Sequence, residues 1–123
     1  MPEDSTDNPT GLFPAERDLP QRSYRDLLLA TDQQLRKDFH PHIHLPELDD
    51  DFSANDLRKI LQDALQSLIR DNPSALEQIL YRIDLNERTK KSAMEAGLEV
   101  LTESILRREA LKVWIRSNYS EKM

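Results

Sequence analysis

The chain has 123 residues, with hydrophobic side chains at 37%, charged side chains at 33% and a formal net charge of -6. That is the size of one ordinary domain with a modest core. Two glycines and 6% aromatics leave no material for a glycine-rich phosphate loop or an aromatic-lined cofactor pocket, and the absence of cysteine removes thiol chemistry, disulfides and Cys-ligated zinc. The apolar residues are unevenly spread: 16 of the first 52 against 28 of the 63 from Ser53 to Ile115. Charge divides at nearly the same place, since residues 1–56 carry a net of -8 and residues 57–123 a net of +2. This asymmetry suggests an acidic N-terminal arm that lies against, or competes for, a mildly basic helical body.

Residues 1–22 hold four prolines and many acids without periodicity, and read as a disordered acidic arm with one apolar spot at Leu12 and Phe13. Ser23 stands three residues before Asp26 at capping-box spacing, and opens an amphipathic helix over 23–39. Tyr24, Leu27, Leu28, Thr31, Leu35 and Phe39 form its apolar stripe. Residues 40–52 contain Pro41 and Pro46, which forbid regular helix, and read as a linker. Its length would leave the first helix detached, free to pack on its own body or on another chain.

A helical domain over 53–119 follows. Ser53 and Asp56 repeat the capping pattern, with Phe52 placed to meet Leu57 as a hydrophobic staple, and Leu57, Ile60, Leu61, Ala64, Leu65 and Leu68 form the stripe. Asn72 and Pro73 restart the chain as cap and first helical residue, and Leu76, Ile79, Leu80 and Ile83 form the next buried face. Asp84 or Asn86 caps a last helix that runs to about Ser117. It carries one strip of Met94, Leu98, Leu101 and Ile105 and a second of Val100, Leu111, Trp114 and Ile115. Gly97 costs about 1 kcal/mol relative to Ala inside a helix, which suggests a close helix crossing lined by Ala93, Gly97 and Ser104.

The expected fold is therefore all-α: a small bundle of three C-terminal helices, preceded by a detached amphipathic helix on a Pro-rich linker. No membrane span or secretory signal is visible, so a soluble cytoplasmic protein is expected.

Chemistry-bearing residues are sparse. His40, His42 and His44 alternate beside acids, but in a Pro-rich segment without a rigid outer shell they read as exposed, and no metal or cofactor is expected. Asp49, Asp50 and Asp51 fail the EF-hand pattern, which needs Gly after the third ligand and Glu where Ile60 stands. Acids there suit the N-terminus of the next helix. No nucleophile elbow surrounds any serine, so an enzyme is not expected.

Two functions fit what is left. The first is a non-enzymatic protein–protein interaction module, an adaptor or regulatory subunit that binds a partner or forms a homo-oligomer. Its contact surface would be Leu106, Leu111, Trp114 and Ile115 with the first helix's Tyr24, Leu27, Leu28 and Leu35, more apolar surface than one small globule needs. The second is a small nucleic-acid-associated regulator that uses the ridge Arg108, Lys112 and Arg116, against which the overall acidity counts.

Overall fold

The computed structural model describes the backbone of residues 21–122 and the side chains of residues 24–116. Helices account for most of these residues, and no strand occurs among them. The elements are α1 (Gln21–Phe39), α2 (Ala54–Asp71), α3 (Pro73–Ile83), α4 (Glu87–Ala96) and α5 (Leu98–Lys122). None of the described helices is long and apolar enough to cross a membrane. The arm over residues 1–20 and the side chains of Ser23 and Tyr119 lie outside the described residues.

The caps explain the boundaries of α2 and α3. The Asp56 N–H donates to Ser53 Oγ at 3.2 Å and the Ser53 N–H to Asp56 Oδ2 at 2.9 Å, which is the reciprocal box its spacing predicts. Asn72 then serves both helices: its N–H donates to the Leu68 carbonyl at 2.8 Å, and its Oδ1 accepts from the Ala75 N–H at 3.2 Å. Pro73 follows at the first helical position, where its missing N–H costs nothing. Asp84 closes α3 in the left-handed region with φ 70°, and Asn86 caps α4 through Thr89 N–H at 2.8 Å. The stripes of α2 and α3 are buried as the periodicity implies, apart from half-buried Ile60.

Gly97 corrects the expected single last helix, because it divides that segment into α4 and α5 and makes the C-terminal helices four. Its φ of 121° is a conformation side chains rarely adopt, and a Cβ built there would meet nothing within 4 Å. Backbone conformation, rather than close helix approach, accounts for glycine at this position.

The larger correction concerns α1, which is not detached. Lys112 Nζ donates to Asp38 Oδ2 at 3.0 Å and Arg116 Nη2 to Gln34 Oε1 at 2.8 Å. Four residues back along α1 therefore match four residues forward along α5, and the two helices run antiparallel. Leu28, Leu35 and Phe39 are at most 1% exposed in the same apolar cluster as α5's Leu101, Ile105 and Leu106. Burial of this kind contributes about 1.5–3 kcal/mol for each large side chain, which a short helix in water cannot forgo. α5 contacts each of the other four helices and is the axis of the fold.

The segment between α1 and α2 is irregular as expected, but it is a fastened strap rather than a free linker. Leu45 and Phe52 are buried in the core. Arg36 donates to the carbonyls of Leu45 at 2.8 Å and Pro46 at 2.6 Å, and Arg82 of α3 donates to those of Asp38 at 3.1 Å and His40 at 2.6 Å. Arg25 donates to the carbonyls of Asp50 and Phe52, and its guanidinium lies 4.6 Å from the centre of the Phe52 ring. Non-helical backbone carbonyls need such donors when a strap packs on a core.

Candidate interaction face

α5 is apolar on two opposite sides, and only one of them meets the core. Leu101, Ile105, Leu106, Ala110 and Val113 are buried. At 100° per residue, Val100, Ser104, Arg107, Leu111 and Trp114 share the other side, with Ile115 at its edge. Their spacing of four, three, four and three is the a/d repeat by which helices pack on helices. Val100, Leu111, Trp114 and Ile115 are 40–44% exposed, a large value for four apolar side chains on one helix face. Leu29, Ile69, Tyr81 and Met94 are also exposed, but each on a different helix, as scattered surface apolar residues ordinarily are.

Beside this stripe lies a groove of about 420 Å³ lined by Leu85, Asn86 and Thr89 at the start of α4 and by Ser104, Arg107, Arg108 and Leu111 of α5, with Asp84 at its margin. Arg108 Nη2 donates to Asp84 Oδ2 at 3.3 Å, while its Nε is buried without a hydrogen-bond partner. The exposed face therefore combines an apolar strip with a cationic groove.

The structure redistributes the predicted contact residues. Leu111, Trp114 and Ile115 are on the exposed face. Leu106, Leu27, Leu28 and Leu35 are not, because α1 and α5 bury them against the core, and Tyr24 is half-buried against the same cluster. Val100 and Arg107 complete the exposed stripe. Val100 was already in the second strip read from the sequence, whereas Arg107, a charged residue within an apolar repeat, was not.

The basic ridge is largely engaged within the fold. Arg108 pairs with Asp84, Lys112 with Asp38 and Glu109, and Arg116 donates to Gln34. Lys112 Nζ is 3.0 Å from both Asp38 Oδ2 and Glu109 Oε2, so the ammonium bridges the two carboxyl groups. His40 and His44 are exposed and His42 is half-buried. Among the described residues no group of three or more His, Asp or Glu is placed to hold a metal ion.

Sequence reasoning missed a buried polar knot between α1 and α5. Asp38 is 4% exposed and Glu109 fully buried. Gln34 Nε2 donates to Asp38 Oδ1 at 3.1 Å. Burial, and then the adjacent Asp38, push the Glu109 carboxyl up to about 8, against the pull of Lys112. Asp38 goes the other way: burial alone would raise it, but hydrogen bonds with Glu109, Gln34 and Lys112 outweigh burial and hold it below the usual carboxylate value. One proton therefore serves two carboxyl groups, and it stays on Glu109. The knot is enclosed at a helix interface and holds α1 to α5.

No family model matches this chain, and neither the curated proteins nor the solved structures include one that matches it.

Proposed function

We propose that this protein is a non-enzymatic interaction module that docks a helical segment of a partner protein on the outward face of α5. The observation that carries the reading is the second apolar strip of α5: Val100, Leu111, Trp114 and Ile115 stay exposed at a/d spacing although the opposite side of the same helix already fills the core. A surface helix needs one such strip for its own fold. A Trp on such a face is a side chain that anchors protein contacts.

The nucleic-acid reading is the weaker one, because Arg108, Lys112 and Arg116 each have a partner inside the fold. Affinity capture from lysate separates the two, using the full chain, a Leu111→Ser/Trp114→Ser chain and an Arg108→Ala/Arg116→Ala chain as baits, with and without nuclease. The proposal expects a protein that survives nuclease and is lost from the first variant only. A protein retained equally by the Leu111→Ser/Trp114→Ser chain, or recovery that collapses with nuclease, would refute it.

A further inference from the structure

We infer that α1 and its strap form a proton-held clasp on the last turns of α5: the buried pair Asp38 and Glu109 keeps it shut while it holds one proton, and loss of that proton releases the segment as a unit. The clasp stands apart from the docking function proposed for the outward strip, and only its consequence for Leu111, Trp114 and Ile115 rests on that reading. Two arrangements carry the inference, the charge count at the knot and the layout of the fasteners.

Glu109 is fully buried and Asp38 is 4% exposed. Lys112 Nζ lies 3.0 Å from an oxygen of each, so those two oxygens are at most twice that distance apart. Gln34 Nε2, the neutral donor in the knot, is taken up by Asp38 Oδ1. The cations of the neighbouring elements are engaged elsewhere: Arg116 with Gln34, Arg82 of α3 with the Asp38 and His40 carbonyls, Arg58 of α2 with Glu103, Arg108 with Asp84, and Lys90 of α4 with Glu77 and Glu87. With both acids ionised, two buried negative charges would share the Lys112 ammonium, an arrangement that exclusion of water makes costly. One proton restores the balance, and Glu109 carries it, with its carboxyl far above the ordinary range.

The fasteners divide into two sets. Arg25 holds the carbonyls of Asp50 and Phe52, and Arg36 those of Leu45 and Pro46, so these bonds run between α1 and its own strap. They stay intact when the segment moves as one piece. The bonds that tie the segment to α3 and α5 gather instead at the C-terminal end of α1: Gln34 with Arg116, Asp38 with Lys112, and the Asp38 and His40 carbonyls with Arg82. A charge placed on Glu109 therefore acts in the midst of the second set and leaves the first alone.

On α5, Glu109, Lys112, Val113 and Arg116 follow at i, i+3, i+4 and i+7, the side that α1 covers. The contacts of α2, α3 and α4 with α5 fall earlier along it, where Arg58 pairs with Glu103, Asp84 with Arg108, and the groove beside α4 is lined as far as Leu111. Release of α1 uncovers Val113, which is 6% exposed in the closed fold, and loosens the turns that present Leu111, Trp114 and Ile115. Proton loss in the knot thereby switches the docking strip off.

Amide hydrogen exchange of the full chain, corrected for the intrinsic pH dependence of exchange, tests the clasp. The amides of α1 and of residues 109–116 should share one opening constant, larger than that of α2 and α3. It should rise about tenfold per pH unit between pH 5.5 and pH 7.5, because the released Glu109 ionises there and the enclosed one does not. In Glu109→Gln the constant should stay level over the same range, and any titration of His40, His42 and His44 cancels in that comparison. Amides of α1 that open only together with those of α2 and α3 would overturn the inference. So would a wild-type opening constant that does not change with pH, or one that changes equally in Glu109→Gln. Whether the strip binds other proteins is read separately, from the capture by the Leu111→Ser/Trp114→Ser bait, so that either idea can fail alone.

Discussion

Glu109 provides a quantitative check on how α1 is held. Its carboxyl is fully buried and raised from 4.5 to about 8, so between those values the folded chain keeps a proton that the unfolded chain has released. Stability from this group is complete below pH 4.5 and is lost as pH rises through about 8. At 1.4 kcal/mol per unit the whole loss amounts to about 5 kcal/mol, of which about 4 kcal/mol falls between pH 5 and pH 9, a large part of the 5–15 kcal/mol of a typical domain. The lowered Asp38 acts in a separate window: its contribution is present above 3.8 and lost only as pH falls through its depressed folded value. Glu109→Gln keeps a donor for Asp38 and removes the titration. Guanidinium unfolding from about pH 5 to pH 9 should show wild-type stability falling with pH while the variant stays nearly level. The variant should match the wild type in acid and exceed it by about 4 kcal/mol at the alkaline end. Wild-type stability that is flat or rises with pH across this window would mean that Glu109 is ionised in the fold, and the account of the knot would be wrong.

Three further outcomes follow from the packing. Leu35→Ala should cost about 2–5 kcal/mol in urea unfolding, because Leu35 is fully buried, whereas a detached first helix would leave global stability almost unchanged. Gly97→Ala should cost about 1–3 kcal/mol despite the open space around it, since the penalty is in φ; a gain in thermal midpoint would show that the α4–α5 break is dispensable. Ser53→Ala removes one arm of a reciprocal capping box and should cost about 0.5–2 kcal/mol, with amide exchange accelerated first at Asp56, whose N–H loses its acceptor.

Local signals carried well into the structure and non-local ones did not. Ser53, Asn72 and Pro73 act within three or four residues of themselves, so their helix ends were readable from spacing alone. The stripe on α1 states that a face must be buried, but it does not state against what, and Leu28 and Leu35 fit a core in cis as well as a partner. Gly97 carries the same sequence signal whether it allows a close crossing or a positive φ. The arginines that fasten the strap reach carbonyls 9 to 44 residues away, a relation with no periodicity to detect. The Asp38–Glu109 pair joins two helices across the fold, and in a chain with 23 acids nothing marks these two. For the candidate face, Leu111, Trp114 and Ile115 were identifiable because a single helix carried too much apolar surface, while Leu106, which the fold buries in the core, is indistinguishable from them in the sequence.

The central claim is that the outward strip of α5 serves docking and the inward one serves folding. The most direct measurement pairs urea unfolding with partner capture for Leu111→Ser/Trp114→Ser and, separately, for Leu106→Ser. The account predicts that the outward variant stays within about 0.5 kcal/mol per site of wild type and loses the partner, whereas the inward one loses several kcal/mol. An outward variant that unfolds, or that folds and still retains the partner in full, would contradict it.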